Sequence, residues 1–139
     1  MTDAGIVQIF QTDNWPPLSI CQVHGGQKYA RDVRDAAKHL SPPTGEKRTI
    51  DHRTRIAVSA LLKGHNHPNV ACGLLVGKYV DEPDHPILCI DIAKEIIWVQ
   101  DESPEFTWSF EQFSGLSDED LDTLFHRQRG RFIKHKENA

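Results

Sequence analysis

Eight histidines, three cysteines and a dense run of carboxylates are the residues of this chain with chemistry to offer. His65 and His67 are separated by one residue, a spacing that lets two imidazoles share a divalent cation when they sit on a strand. With His52 and Asp91 they would make a four-ligand set able to activate water, as in a metal-assisted hydrolase. The two histidines lie between Gly64 and Pro68, however, in a turn that aims neither ring, and no zincin or cupin pattern accompanies them. A polar turn is the simpler reading, and the expected cofactor complement is none. Cys21, Cys72 and Cys89 each lie in an apolar run, with no Cys-x-x-Cys pair among them. They read as buried free thiols in a reducing compartment. Gly25-Gly26 precedes a helix but lacks the Gly-Lys-Ser/Thr ending of a phosphate loop, and no Gly-x-Ser-x-Gly elbow occurs. These absences point away from an enzyme.

Charge is the stronger signal. Net charge is −4, yet residues 81–122 hold 13 acidic side chains against one basic, Lys94. Residues 1–80 hold 10 basic and 6 acidic side chains, and residues 123–139 hold 5 basic and 1 acidic. The basic tail around Arg127, Arg129 and Arg131 is an expected partner of the acidic stretch, and a pI near 6.0 argues against a dedicated nucleic-acid binder. Asp81, Glu82 and Asp84 precede one predicted strand, and Asp101, Glu102 and Glu105 follow it. Trp98, Phe106 and Trp108 lie beside the second acidic group. Aromatic residues beside charge are common anchors at interfaces, so these acids, with Trp98 and Trp108, are the candidate partner-binding face. Placed at opposite ends of one strand, the two acidic groups would stand roughly 30–40 Å apart and flank a surface.

The elements that must position these residues follow from periodicity. Residues 5–10 and 18–23 read as strands separated by Trp15-Pro16-Pro17, the second a hairpin partner of the first. Tyr29, Val33, Ala36, Ala37 and Leu40 make one apolar stripe on a helix over about 28–40, stopped by Pro42-Pro43. Residues 41–49 read as an exposed loop or linker. A second helix is expected over about 52–63, capped by Asp51, with Ile56, Ala60 and Leu61 inward. Long strands are expected over Val70–Val80 and Ile87–Val99, paired through a hairpin loop at 81–86 and covered on both faces by helices. Phe106, Trp108 and Phe110 alternate as a short strand. The last helix, over 117–129, starts at the cap Ser117 with Leu116 and Leu121 as a hydrophobic staple, and residues 134–139 form a frayed tail. Core positions are Val33, Leu75, Ile90, Ile92 and Leu124. The fold class is therefore α+β, one domain over 1–139, a mainly antiparallel sheet flanked by about three helices.

One stretch resembles a known family. Arg55-Ile56-Ala57-Val58-Ser59-Ala60-Leu61-Leu62, then Asn69-Val70-Ala71-Cys72-Gly73-Leu74-Leu75-Val76-Gly77-Lys78, is similar to the first helix and following strand of JAB/MPN domains. The resemblance covers about residues 53–92 and implies that 81–92 return as a hairpin. Catalytic members carry a glutamate three residues before the first glycine, where this chain has Val70. Their His-x-His-Pro motif comes later in the chain, whereas His65-Asn66-His67-Pro68 precedes the strand. The resemblance thus implies a metal-free, non-catalytic scaffold.

Together these observations lead to a small intracellular interaction, regulatory or inhibitory protein, binding a protein partner through an acidic, aromatic-flanked face. The metal-assisted hydrolase is the alternative. No window is long and apolar enough to span a membrane. Asp3 stands where a secretory signal carries Lys or Arg, so the expected location is cytoplasmic. A homo-oligomer is compatible with the sequence.

Overall fold

The computed structural model describes residues 5–12, 16–22, 28–40, 49–62, 72–76 and 85–124. In chain order these form β1 (Gly5–Phe10), β2 (Leu18–Gln22), α1 (Lys28–Leu40), α2 (Ile50–Leu62), β3 (Cys72–Val76), β4 (Leu88–Asp91), β5 (Ile96–Val99), β6 (Thr107–Ser109), α3 (Phe110–Ser114) and α4 (Asp118–Leu124). The architecture is α+β, as expected. One six-stranded sheet runs β3-β2-β1-β4-β5-β6. Every neighbouring pair is antiparallel except β1 and β4, which are parallel.

Alternation divides the sheet into two faces. Val7, Ile9, Ile20, Leu88, Ile90, Ile97 and Val99 share one face and join a single buried cluster with residues of α1, α2, α3 and α4. Gly5 belongs to that face, and the reason for a glycine is local. A Cβ there would lie 2.6 Å from Cγ of Tyr29, whose ring is fully buried. The Tyr29 hydroxyl donates to the Pro86 carbonyl at 2.6 Å, tying α1 to the approach to β4. Burial pushes the Tyr29 phenol well above its usual range, which keeps that donor protonated. The opposite face carries Ile6, Gln8, Ser19, Cys21, Cys89 and Asp91, also buried. Helices were expected on both faces, but among the described residues all four helices join the cluster on one.

Several boundaries differ from the sequence reading. Ile87–Val99 is not one strand. Residues 92–95 turn, and β4 and β5 form an antiparallel hairpin. The Asp91 side chain accepts the Lys94 amide at 2.8 Å, the Asp91 carbonyl accepts the Glu95 amide at 2.9 Å, and Glu95 takes a φ of 60°. The turn is hidden in the sequence because Ile92 is apolar and fully buried within it. The expected hairpin between β3 and β4 is also absent. β3 pairs with β2, while β4 lies between β1 and β5. Phe110 does not continue β6. Ser109 accepts the Gln112 amide at 3.0 Å and the Gln112 side chain accepts the Ser109 amide at 2.8 Å, a reciprocal cap that starts α3 there.

At α2 the cap is Thr49 rather than Asp51, its Oγ1 accepting the His52 amide at 3.1 Å. The inward residues of α2 are Thr54, Ala57 and Leu61. Of the residues expected inward, Leu61 is fully buried, Ile56 is half-buried against the core, and Ala60 is half-buried beside α1. The α1 stripe is buried as expected. Ser117 caps α4 through the Asp120 amide at 3.1 Å. Val33, Ile90 and Ile92 are fully buried, whereas Leu124 is half-buried at the edge of the core. The Leu75 side chain, residues 41–48 of the expected loop, the continuation of the last helix beyond 124 and the tail 134–139 lie outside the described residues.

Candidate functional site

The second acidic group occupies the β5–β6 loop, residues 100–106. The loop is pinned at several points. The Gln100 amide donates to Ile87 at 2.9 Å, Phe106 to Ser103 at 3.0 Å, and Val99 to Phe106 at 3.2 Å. The Ser103 hydroxyl donates to a Glu105 carboxylate oxygen at 3.0 Å. Asp101 holds a φ of 61°, a left-handed conformation that aspartate tolerates better than most residues. Asp101 and Glu105 are exposed, and neither forms an ion pair with a described residue.

The two tryptophans do not share a surface. Trp98 pairs with Cys89 in register, on the face opposite the helices, and its ring lies 5.4 Å from that of Phe10. Trp108 pairs with Ile97, on the helix-bearing face, and packs edge-on against Phe113 at 5.3 Å. Both are half-buried. They anchor the two sides of the sheet edge, and the loop between them carries the charge. Because β4 and β5 fold back on each other, this loop lies beside Ile87 at the start of β4 instead of a full strand-length away. Asp81, Glu82 and Asp84 lie outside the described residues.

The metal set is only partly described. His52 is exposed in the first turn of α2, bordering a groove against α1. Asp91 ends β4 on the opposite sheet face, and its side chain is engaged by the Lys94 amide. His65 and His67 lie outside the described residues. Among the described residues no group of three His, Cys, Asp or Glu side chains is placed to hold a metal ion.

Two charged arrangements escaped the sequence reading. In the first, α1 grips the start of α4. Arg34 reaches the Asp118 carboxylate at 2.7 Å and the Leu116 carbonyl at 3.0 Å, while Arg31 reaches Asp118 at 3.7 Å and Asp122 at 3.4 Å. The Arg34 hydrogen bond, then the charges of Arg31 and Arg34, hold the Asp118 carboxyl below its usual range. Part of the acidic segment is thus neutralised by α1. In the second, α1 and α2 enclose an open groove of about 670 Å³, to which Lys38 and His39 contribute from one wall and His52 and Arg55 from the other. The sequence signal was available: positions 35, 38 and 39, and positions 52, 55, 56, 59 and 60, each follow helical spacing. Nothing in the sequence said that the two stripes meet.

No family model, no curated protein and no solved structure matches this chain. No helix among the described residues is long and apolar enough to cross a membrane.

Proposed function

We propose that this protein is a non-catalytic interaction protein that recognises a basic protein partner through the β5–β6 loop. The observation that carries this reading is the pinned backbone of residues 100–106 beneath the exposed carboxylates of Asp101 and Glu105. A loop already fixed by hydrogen bonds loses little entropy when a partner docks. Its charge steers a basic surface toward it and raises the rate of encounter. Phe106 and Pro104 supply apolar contact at the same edge. A regulatory or inhibitory role in the cytoplasm fits such a module, and the partial JAB/MPN resemblance fits a scaffold without chemistry.

The test begins with capture of partners from a native extract, using the wild-type chain and the variant Asp101→Lys/Glu102→Lys/Glu105→Lys in parallel. Association of the captured partner is then timed across salt concentrations. The variant should associate about tenfold more slowly at low salt, with the difference closing as salt rises. Equal rates and equal salt slopes for the two proteins would remove the loop from the recognition surface.

A further inference from the structure

The groove between α1 and α2 lies apart from the acidic loop and asks for a ligand of the opposite charge. Lys38 and Arg55 face it from opposing helices, so a bound anion would be gripped from both sides. His39 and His52 add two flat rings with polar edges, one from each wall. Ile56 and Ala60 form a half-buried apolar floor. We propose that this groove binds a small phosphorylated organic molecule.

Size, charge and shape each narrow the choice. The open groove, about 670 Å³, leaves room for an organic body beside a phosphate. The described part of the α2 wall, from His52 to Ala60, is about 12 Å long at a rise of ~1.5 Å per residue, long enough to seat a small ligand. Arginine offers a planar fork that matches phosphate oxygens, and lysine adds a point charge. The imidazoles and the apolar floor suit a planar or apolar body attached to the phosphate. Asp35, also in the wall, accepts from a hydroxyl or amino group on that body and disfavours an extended polyanion such as an acidic polypeptide.

The test is a titration of the full-length, isotope-labelled protein followed by amide chemical shifts, with adenosine 5′-monophosphate, adenosine and inorganic phosphate as probes. The nucleotide should shift amides of residues 35–39 and 52–60. Adenosine and inorganic phosphate should each bind about tenfold more weakly, because each lacks half of the recognised chemistry. The double substitution Lys38→Gln/Arg55→Gln should weaken nucleotide binding about tenfold and leave circular dichroism and thermal unfolding unchanged. If the double variant fails to fold, Arg55→Gln alone, at an exposed position, should weaken binding about threefold. Shifts confined to other residues, or undiminished binding by the folded variant, would overturn the proposal. So would a ten-residue glutamate peptide that binds the same amides more tightly than the nucleotide, since that assigns the groove to an acidic chain.

Discussion

Gly5 and Tyr29 show how one missing side chain shapes the interior. The glycine lets the Tyr29 ring lie against β1, and the ring in turn sends its hydroxyl to Pro86. A Cβ at position 5 meets ring carbons at 2.6 and 2.7 Å, so the fully buried ring, held by its bond to Pro86, must shift within the core. Gly5→Ala should therefore destabilise the fold by about 1–3 kcal/mol, the usual cost of overpacking, measured by urea unfolding. The neighbouring case has the opposite cause. Ile90 is fully buried at the centre of the sheet, and Ile90→Ala should cost about 2–5 kcal/mol by leaving a cavity. A loss below about 0.5 kcal/mol for Ile90→Ala would mark a surface position.

Among the elements, the grip of α1 on α4 has a definite pH signature. Asp118 has a lowered carboxyl pKa in the folded protein because Arg34 and Arg31 favour its ionised form. A group with a depressed folded pKa contributes stability above its unfolded value, about 3.9 for aspartate, and loses it as pH falls through the folded value. Asp118→Asn should thus lower stability near neutral pH and make it fall less steeply on acidification below about pH 4. Urea unfolding at a series of pH values tests this, and parallel curves for the two proteins would show that the pair contributes nothing. The carboxylate is well exposed, so solvent screening keeps the effect small.

The same scale shows what was legible in the sequence. The α1 stripe from Tyr29 to Leu40 repeats at helical spacing, and Ser117 announces α4 because its hydroxyl has one amide to satisfy. β1 and β2 were readable because Pro16-Pro17 interrupts them. The β4–β5 turn was not, since an apolar residue buried within it, Ile92, made two short strands look like one. Strand partners were not legible either. Periodicity fixes the face a residue occupies but says nothing about which edge is filled. The acidic loop was visible as composition, whereas its pinned backbone and the separation of Trp98 from Trp108 depend on that unseen pairing. The α1–α2 groove was not legible because helical spacing places residues on a stripe without showing which stripe faces which.

At the scale of the whole molecule, the parallel contact of β1 with β4 is a seam. On one side stand β3, β2 and β1, all from residues 5–76, and on the other β4, β5 and β6, all from residues 88–109. The helix-bearing core crosses it, with Val7 and Ile9 beside Leu88 and Ile90. Each half alone exposes an apolar strand edge and half of the cluster. Fragments 1–80 and 81–139 should each lack a cooperative thermal transition, and an equimolar mixture should regain one. Calorimetry on the separate and mixed fragments decides the point. Cooperative melting of either fragment by itself would mean two independent domains.

That seam also sets a timetable during synthesis. β1 leaves the ribosome well before β4, yet β4, which ends at Asp91, is the strand that fills its second edge. At about 5–20 residues per second, β1 waits several seconds for a neighbour about eighty positions downstream. Through that interval the N-terminal half presents an open edge to any nascent chain or chaperone nearby. A ribosome that pauses before β4 therefore prolongs the period in which that edge stands unpaired.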